Sequence, residues 1–181
     1  MERQKYFRKS VRIAVPLLFV SLIASAAWAA KPENVFGGKV IITYKQVPTR
    51  FKSASAMISY IKNHSINVIN EKADKNWEFE ILSFFKKPLH DYECQIIFYD
   101  TEKKGNRKFM ASFTQYVQDR NTRIVGQKVK LKRDEGFKPN WRYTVVVTNR
   151  GRELAKKEFT LKGTAVRYGG VVDFTKEEKK K

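Results

Sequence analysis

Residues 137–161 read Phe137-Lys-Pro-Asn-Trp-Arg-Tyr143-Thr-Val-Val-Val147-Thr-Asn-Arg-Gly151-Arg-Glu-Leu-Ala-Lys-Lys-Glu-Phe159-Thr-Leu161. Tyr143, Val145 and Val147 alternate with Arg142, Thr144 and Thr148, the period of two of a strand with one buried face. Val146 interrupts the polar set and is expected to be exposed. Thr148 to Arg152 supply turn chemistry, with Asn149 and Gly151 the positions most tolerant of positive φ. Phe159 and Leu161 then fall on one side of a second strand. The segment is a β-hairpin, and it sets the reading of everything around it as β structure.

The N-terminus has a different character. Arg3, Lys5, Arg8, Lys9 and Arg12 precede an apolar run from Ile13 to Ala24, and Ala27-Trp28-Ala29 places small residues at a cleavage position. This is the pattern of a secretory signal peptide over 1–29, cut before Ala30. The apolar run is shorter than the ~20 residues of a spanning helix, and no later segment is long and apolar enough to cross a bilayer. The expected product is exported, bacterial, and periplasmic or extracellular. It would keep about 150 residues, enough for one domain with a real core. The whole chain carries a formal charge of +19, of which about +15 would remain. Cys94 is the one cysteine, so no intramolecular disulfide can form. It falls in phase with Tyr92, Ile96 and Phe98 and is expected to be a small buried core residue.

Along the chain, 30–38 reads as an irregular lead-in and Lys39 to Lys45 as a first strand ended before Pro48. Ser53 is an N-cap candidate for a helix over about 53–63, with Ala54, Met57, Ile58 and Ile61 at helical spacing. From Trp77 the pattern stays with strands. Trp77, Phe79, Ile81 and Phe85 oppose Glu78 and Glu80; Tyr92 to Tyr99 and a charged loop from Asp100 to Asn106 follow. Phe109, Ala111, Phe113 and Val117 are expected to continue the core face, and Val129 and Leu131 alternate with Lys128, Lys130 and Lys132. About seven short strands, one helix after the first of them and no βαβ alternation predict a mainly β domain over 30–173. The expected architecture is an antiparallel sandwich of the immunoglobulin or fibronectin type III kind, with a small barrel as the alternative. Gly169-Gly170 would turn the chain into a last strand, Val171 to Phe174, and 174–181 reads as a charged disordered tail.

The run from Phe137 to Val147 resembles the corner before a late sandwich strand, where a tyrosine hydroxyl returns to upstream backbone. Trp77 is similar to the core tryptophan of fibronectin-type domains, although the chain has no cysteine pair of the antibody kind. The combination of WEFEILSFFKKPL, FYD and GGVVDFTKEE is also similar to a group of small, uncharacterised secreted proteins of predatory or gliding proteobacteria. That resemblance covers most of the mature chain and implies no activity.

The residues that could carry chemistry are few. His64 ends the helix and His90 sits in a turn beside Asp91, with no serine in a nucleophile elbow, so no catalytic residue is assigned. One Cys and two distant His give no zinc spacing, and Asp100-Thr101-Glu102 lacks the alternating ligands of a calcium loop. No cofactor-cradling glycine loop is present. What remains is positive charge. Lys128, Lys130 and Lys132 share one face of a strand, Arg120 and Arg123 lie just upstream, and Arg142 comes from the hairpin. Together these six would form a basic sheet face for an envelope protein, an anionic envelope polymer or a lipid surface. Nucleic acid is a poor fit, because the aromatics fall in core phase instead of interleaving with the lysines. The expected function is a non-enzymatic binding or adaptor module. The alternative is a structural part of an envelope assembly that docks by strand-edge pairing.

Overall fold

A computed structural model describes residues 30–103 and 105–164. The signal peptide expected over 1–29, the last strand expected at 171–174 and the tail expected over 174–181 lie outside the described residues. The domain is mainly β: β1 (Lys39–Thr43), β2 (Val68–Asn70), β3 (Asn76–Phe84), β4 (Glu93–Asp100), β5 (Lys108–Tyr116), β6 (Ile124–Lys132), β7 (Trp141–Asn149) and β8 (Arg152–Lys162). Two helices accompany them, α1 (Pro32–Phe36) and α2 (Ala54–His64).

The hairpin forms as the alternation predicts. Tyr143, Val145 and Val147 stand opposite Phe159, Lys157 and Ala155 in register, and the apolar members enter one core. The two-residue turn places its positive φ angles at Arg150 (49°) and Gly151 (76°), not at Asn149. This is the type I′ geometry whose twist matches the flanking strands. The Asn149 amide is thereby released to donate to the Asp91 carboxylate at 3.0 Å and to the Glu93 carbonyl at 2.9 Å. The tyrosine corner is present as well: the Lys138 amide donates to the Tyr143 hydroxyl at 2.7 Å.

The arrangement of the strands departs from an antiparallel sandwich. They follow the order β5-β4-β7-β8-β1-β3-β6, with β2 attached to β8. β1 and β2 both run parallel to β8, with Lys39 beside Lys156 and Val68 beside Thr160. Over 39–70 the chain thus runs along β8 twice in the same direction, as β1 and then as β2, with α2 in the excursion between them. Its second strand is three residues long, too short to show a period.

The sheet is nearly closed and barrel-like. Inward residues of the strands from one end of the order to the other meet in a single core with Trp77, Phe98, Tyr143 and Phe159. Trp77 is fully buried and donates its indole N–H to the Lys162 carbonyl at 2.8 Å.

A second, smaller core explains why β1 and β3 are apolar on both faces. Ile41, Leu82 and Phe84 point outward and are covered by Phe36 of α1, by Val47 and by Ile61 of α2. The lead-in expected to be irregular is thus the helix α1, started by Pro32 at its first turn, where a missing amide costs nothing. In α2, Ser53 caps as expected, its hydroxyl accepting from the Ala56 amide at 3.1 Å.

Two positions reverse their expected exposure. Val146 is buried rather than exposed, flanked in register by Ile97 and Lys156. Phe109 leaves the core face and stands 57% exposed. Phe98 pairs with Ala111 but Tyr99 pairs with Phe109, so Met110 is an extra residue in β5. A one-residue slip turns every following side chain to the other face. Met110 takes the inward place, and Phe109 packs edge-on against Tyr99 at 6.5 Å.

Candidate functional site

The sheet ends at β5 on one side and β6 on the other, and these two strands do not pair with each other. Between them lies a seam that side chains cover only in part. The connection leaving β6 brings Phe137 into the core, its ring 6.3 Å from Phe98 and 5.3 Å from Tyr143. A Cβ on the neighbouring Gly136 would stand 3.5 Å from the Met110 side chain of β5. Past the other end of β5, Val117 donates its amide to the Tyr92 carbonyl at 2.9 Å. The chain from there to β6 is then held by 85–90. Phe85, Leu89 and His90 donate their amides to the carbonyls of Arg123, Thr122 and Arg120 at 2.8, 3.0 and 2.6 Å.

β5 borders this seam and differs from its neighbours. Each of the other described strands contains at least one buried residue, whereas β5 contains none. Its inward side chains are nevertheless apolar: Met110, Ala111, Phe113 and the following Val117 pack against the core while only partly buried. Its outward face carries Phe109 and Tyr116, the latter 70% exposed. Only β4 pairs with it among the described residues. Nine residues of strand with no proline and Lys108 as the sole charge leave the Met110 bulge as the main protection of this edge against pairing. The absence of proline and of internal charge is visible in the sequence; the edge position is not.

The six basic residues singled out from the sequence fall into three places. Lys128, Lys130 and Lys132 do share the outer face of β6. Opposite them in register, however, stand Glu80, Glu78 and Asn76 of β3. Lys130 pairs with Glu78 at 3.0 Å and with Asp74 at 3.6 Å, and Lys72 engages Glu78 as well. Hydrogen bonding from Lys72 and then Lys130 holds the Glu78 carboxyl below the usual carboxylate range. Lys132 lies 4.0 Å from Glu135. Lys128 reaches only the side-chain amide oxygen of Gln46, at 3.4 Å. This face alternates in sign. Arg120 and Arg123 sit in the connection between β5 and β6. Arg142 lies away from all five on β7, where its guanidinium meets Glu102 at 3.5 Å. Arg133, beside the lysine row, is turned toward Glu71, and the two form an ion pair with side chains only 18% and 8% exposed.

The reactive candidates are occupied elsewhere. The Cys94 side chain is buried, and burial pushes its thiol pKa up to about 11, with the neighbouring Glu93 adding to the shift. The His64 ring stacks on Tyr60 at 4.1 Å, and its Nδ1 lies 2.8 Å from the Tyr60 carbonyl. The Asp91 carboxylate is engaged by Asn149, by the Tyr92 amide and by Arg150, contacts that hold it below its ordinary pKa. Among the described residues no helix is long and apolar enough to cross a membrane.

Comparison with known proteins supplies no family. No protein-family model matches the chain, and no curated protein matches it. Among solved structures it is similar to a variant of superoxide reductase (neelaredoxin) from Ignicoccus hospitalis, at 12% identity over 71% of this chain and 82% of that one, with a TM-score of 0.35. A second variant of the same protein gives 14% identity over 55% and 77% at a TM-score of 0.32. The Pseudomonas fluorescens alkylpurine DNA glycosylase AlkC, bound to DNA containing an abasic site analogue, gives 17% over 72% and 32% at 0.30. At those scores the likenesses bear on neither architecture nor activity.

Proposed function

We propose that this chain is an exported, non-enzymatic binding module that takes up an extended segment of a protein partner by strand addition along β5, as part of an envelope assembly. The observation that carries this reading is β5 itself: an edge strand whose inward side chains are apolar yet incompletely covered. An added strand would satisfy the open row of backbone groups and cover Met110, Phe113 and Val117. Main-chain hydrogen bonds give affinity in such docking, and alternate side chains give specificity. The engaged state of Asp91 and the high thiol pKa of Cys94 support a binding role over a catalytic one. The broad basic face expected from the sequence is weaker as a primary site, because Lys130, Lys132 and Arg142 already have acidic partners.

Neighbouring amides of a strand point to opposite edges, so Ala111→Pro and Ser112→Pro separate the two edges of β5. One substitution cuts the β4 ladder and lowers the melting temperature; the other removes an outward amide and leaves the fold near its original stability. A partner captured from envelope extract should be lost with the stable proline variant and kept by the K128E/K130E/K132E variant. Retention by the stable proline variant would sink the proposal.

A further inference from the structure

The charges around the seam indicate what kind of segment β5 would take, and this inference rests on the strand-addition reading above. From Lys108 to Lys138 the sequence holds eight Lys or Arg against three Asp or Glu. Of the eight, Lys130, Lys132 and Arg133 have acidic partners. Lys108, Arg120, Arg123, Lys128 and Lys138 have no ion pair among the described residues. Lys108 opens β5 and Arg120 and Arg123 follow its far end, whereas Lys128 lies on the β3 side of β6, toward Gln46. Lys138 sits over the Trp141 ring at 4.2 Å, in the connection that touches β5 through Gly136. Cations therefore border the open edge at both ends.

We infer that the partner segment is an acidic extended peptide, with apolar side chains at alternate positions and Asp or Glu among the residues between them. The apolar set would continue the row of Met110, Ala111 and Phe113, and the acids would meet the unpaired cations. A second copy of this chain fits poorly. β5 contains no Asp or Glu, and two strongly basic chains repel.

Three fluorescent heptapeptides of one alternating apolar pattern, carrying Thr, Glu or Lys at the remaining positions, test this by anisotropy against the purified protein. The Glu peptide should bind about tenfold more tightly than the Thr peptide at low salt and within about twofold of it near 0.5 M salt, with the Lys peptide weakest. The K108Q/R120Q/R123Q variant should bring the Glu and Thr peptides together. Equal affinity of all three peptides at low salt would overturn the acidic preference and leave strand addition standing. Failure of all three to bind would overturn strand addition and this inference with it. Two further Glu peptides, N-methylated on one edge or the other, complete the test. If both still bind, the cations are collecting a flexible anion without strand pairing, and the inference is wrong.

Discussion

Tyr143→Phe isolates one oxygen atom of the corner that ends the β6–β7 connection. The ring is fully buried and would remain so, packed between Phe137 at 5.3 Å and Phe159 at 6.0 Å. What disappears is the acceptor for the Lys138 amide, 2.7 Å away, and a weaker donation to the Lys138 carbonyl at 3.4 Å. An amide left without a partner in a part-buried site costs about 1–3 kcal/mol. Taking about 2 kcal/mol and a shift of about 3 °C per kcal/mol for a domain of this size, the melting temperature should fall by about 6 °C. Thermal and urea unfolding at neutral pH measure it, with an unchanged m-value showing that the native state stays compact.

Alkaline pH gives a second reading. Burial raises the Tyr143 hydroxyl above its ordinary value of 10.0, and Asp100 and Glu102 add to the shift against the opposing Lys138 bond. A raised folded pKa means that this contribution to stability is complete below pH 10 and is lost as the pH climbs through the folded value. The wild type should lose that increment on going above pH 10, and Tyr143→Phe should not. A melting temperature within about 1 °C of wild type, together with an unaltered alkaline limb, would refute the assignment of the corner as a stabilising closure of the seam.

The Glu71–Arg133 pair should govern acid stability. The Arg133 hydrogen bond first, and then the Thr164 amide, hold the Glu71 carboxyl below 4.5 against the opposing effect of burial. A lowered folded pKa contributes stability above pH 4.5 that disappears as the pH falls through the folded value. Glu71→Gln should cost about 1 kcal/mol at pH 7 in urea titration and flatten that acid limb. Cys94 should resist alkylation at pH 8 in the native protein and react as a single thiol in denaturant; rapid native labelling would contradict its burial. Ser53→Ala should cost about 1 kcal/mol and Ser53→Gly only a few tenths, read as melting shifts, because the hydroxyl caps the Ala56 amide.

Local chemistry was legible in the sequence wherever neighbours along the chain settle it. The β7–β8 hairpin, the Ser53 cap, the burial of Cys94 and the return of the Tyr143 hydroxyl to Lys138 all depend on residues close in sequence or on a simple period. The mainly β class follows from the same signals. Long-range pairing decided the rest. Nothing near Val68–Asn70 announces a strand parallel to β8, and a period of two does not say whether Lys128 faces water or Glu80. Val146 and Phe109 show the limit most directly. One is buried between cross-strand neighbours 49 residues upstream and 10 downstream, and the other is turned outward by a one-residue bulge against β4. The edge character of β5 belongs to the same category, because an edge is defined by which strand fails to arrive. The sequence by itself determined most of the elements, α1 and β2 excepted, and the sign of the charge. The tertiary structure determined which lysines keep their charge free and where the barrel stays open, since both depend on residues brought together only when the sheet curls.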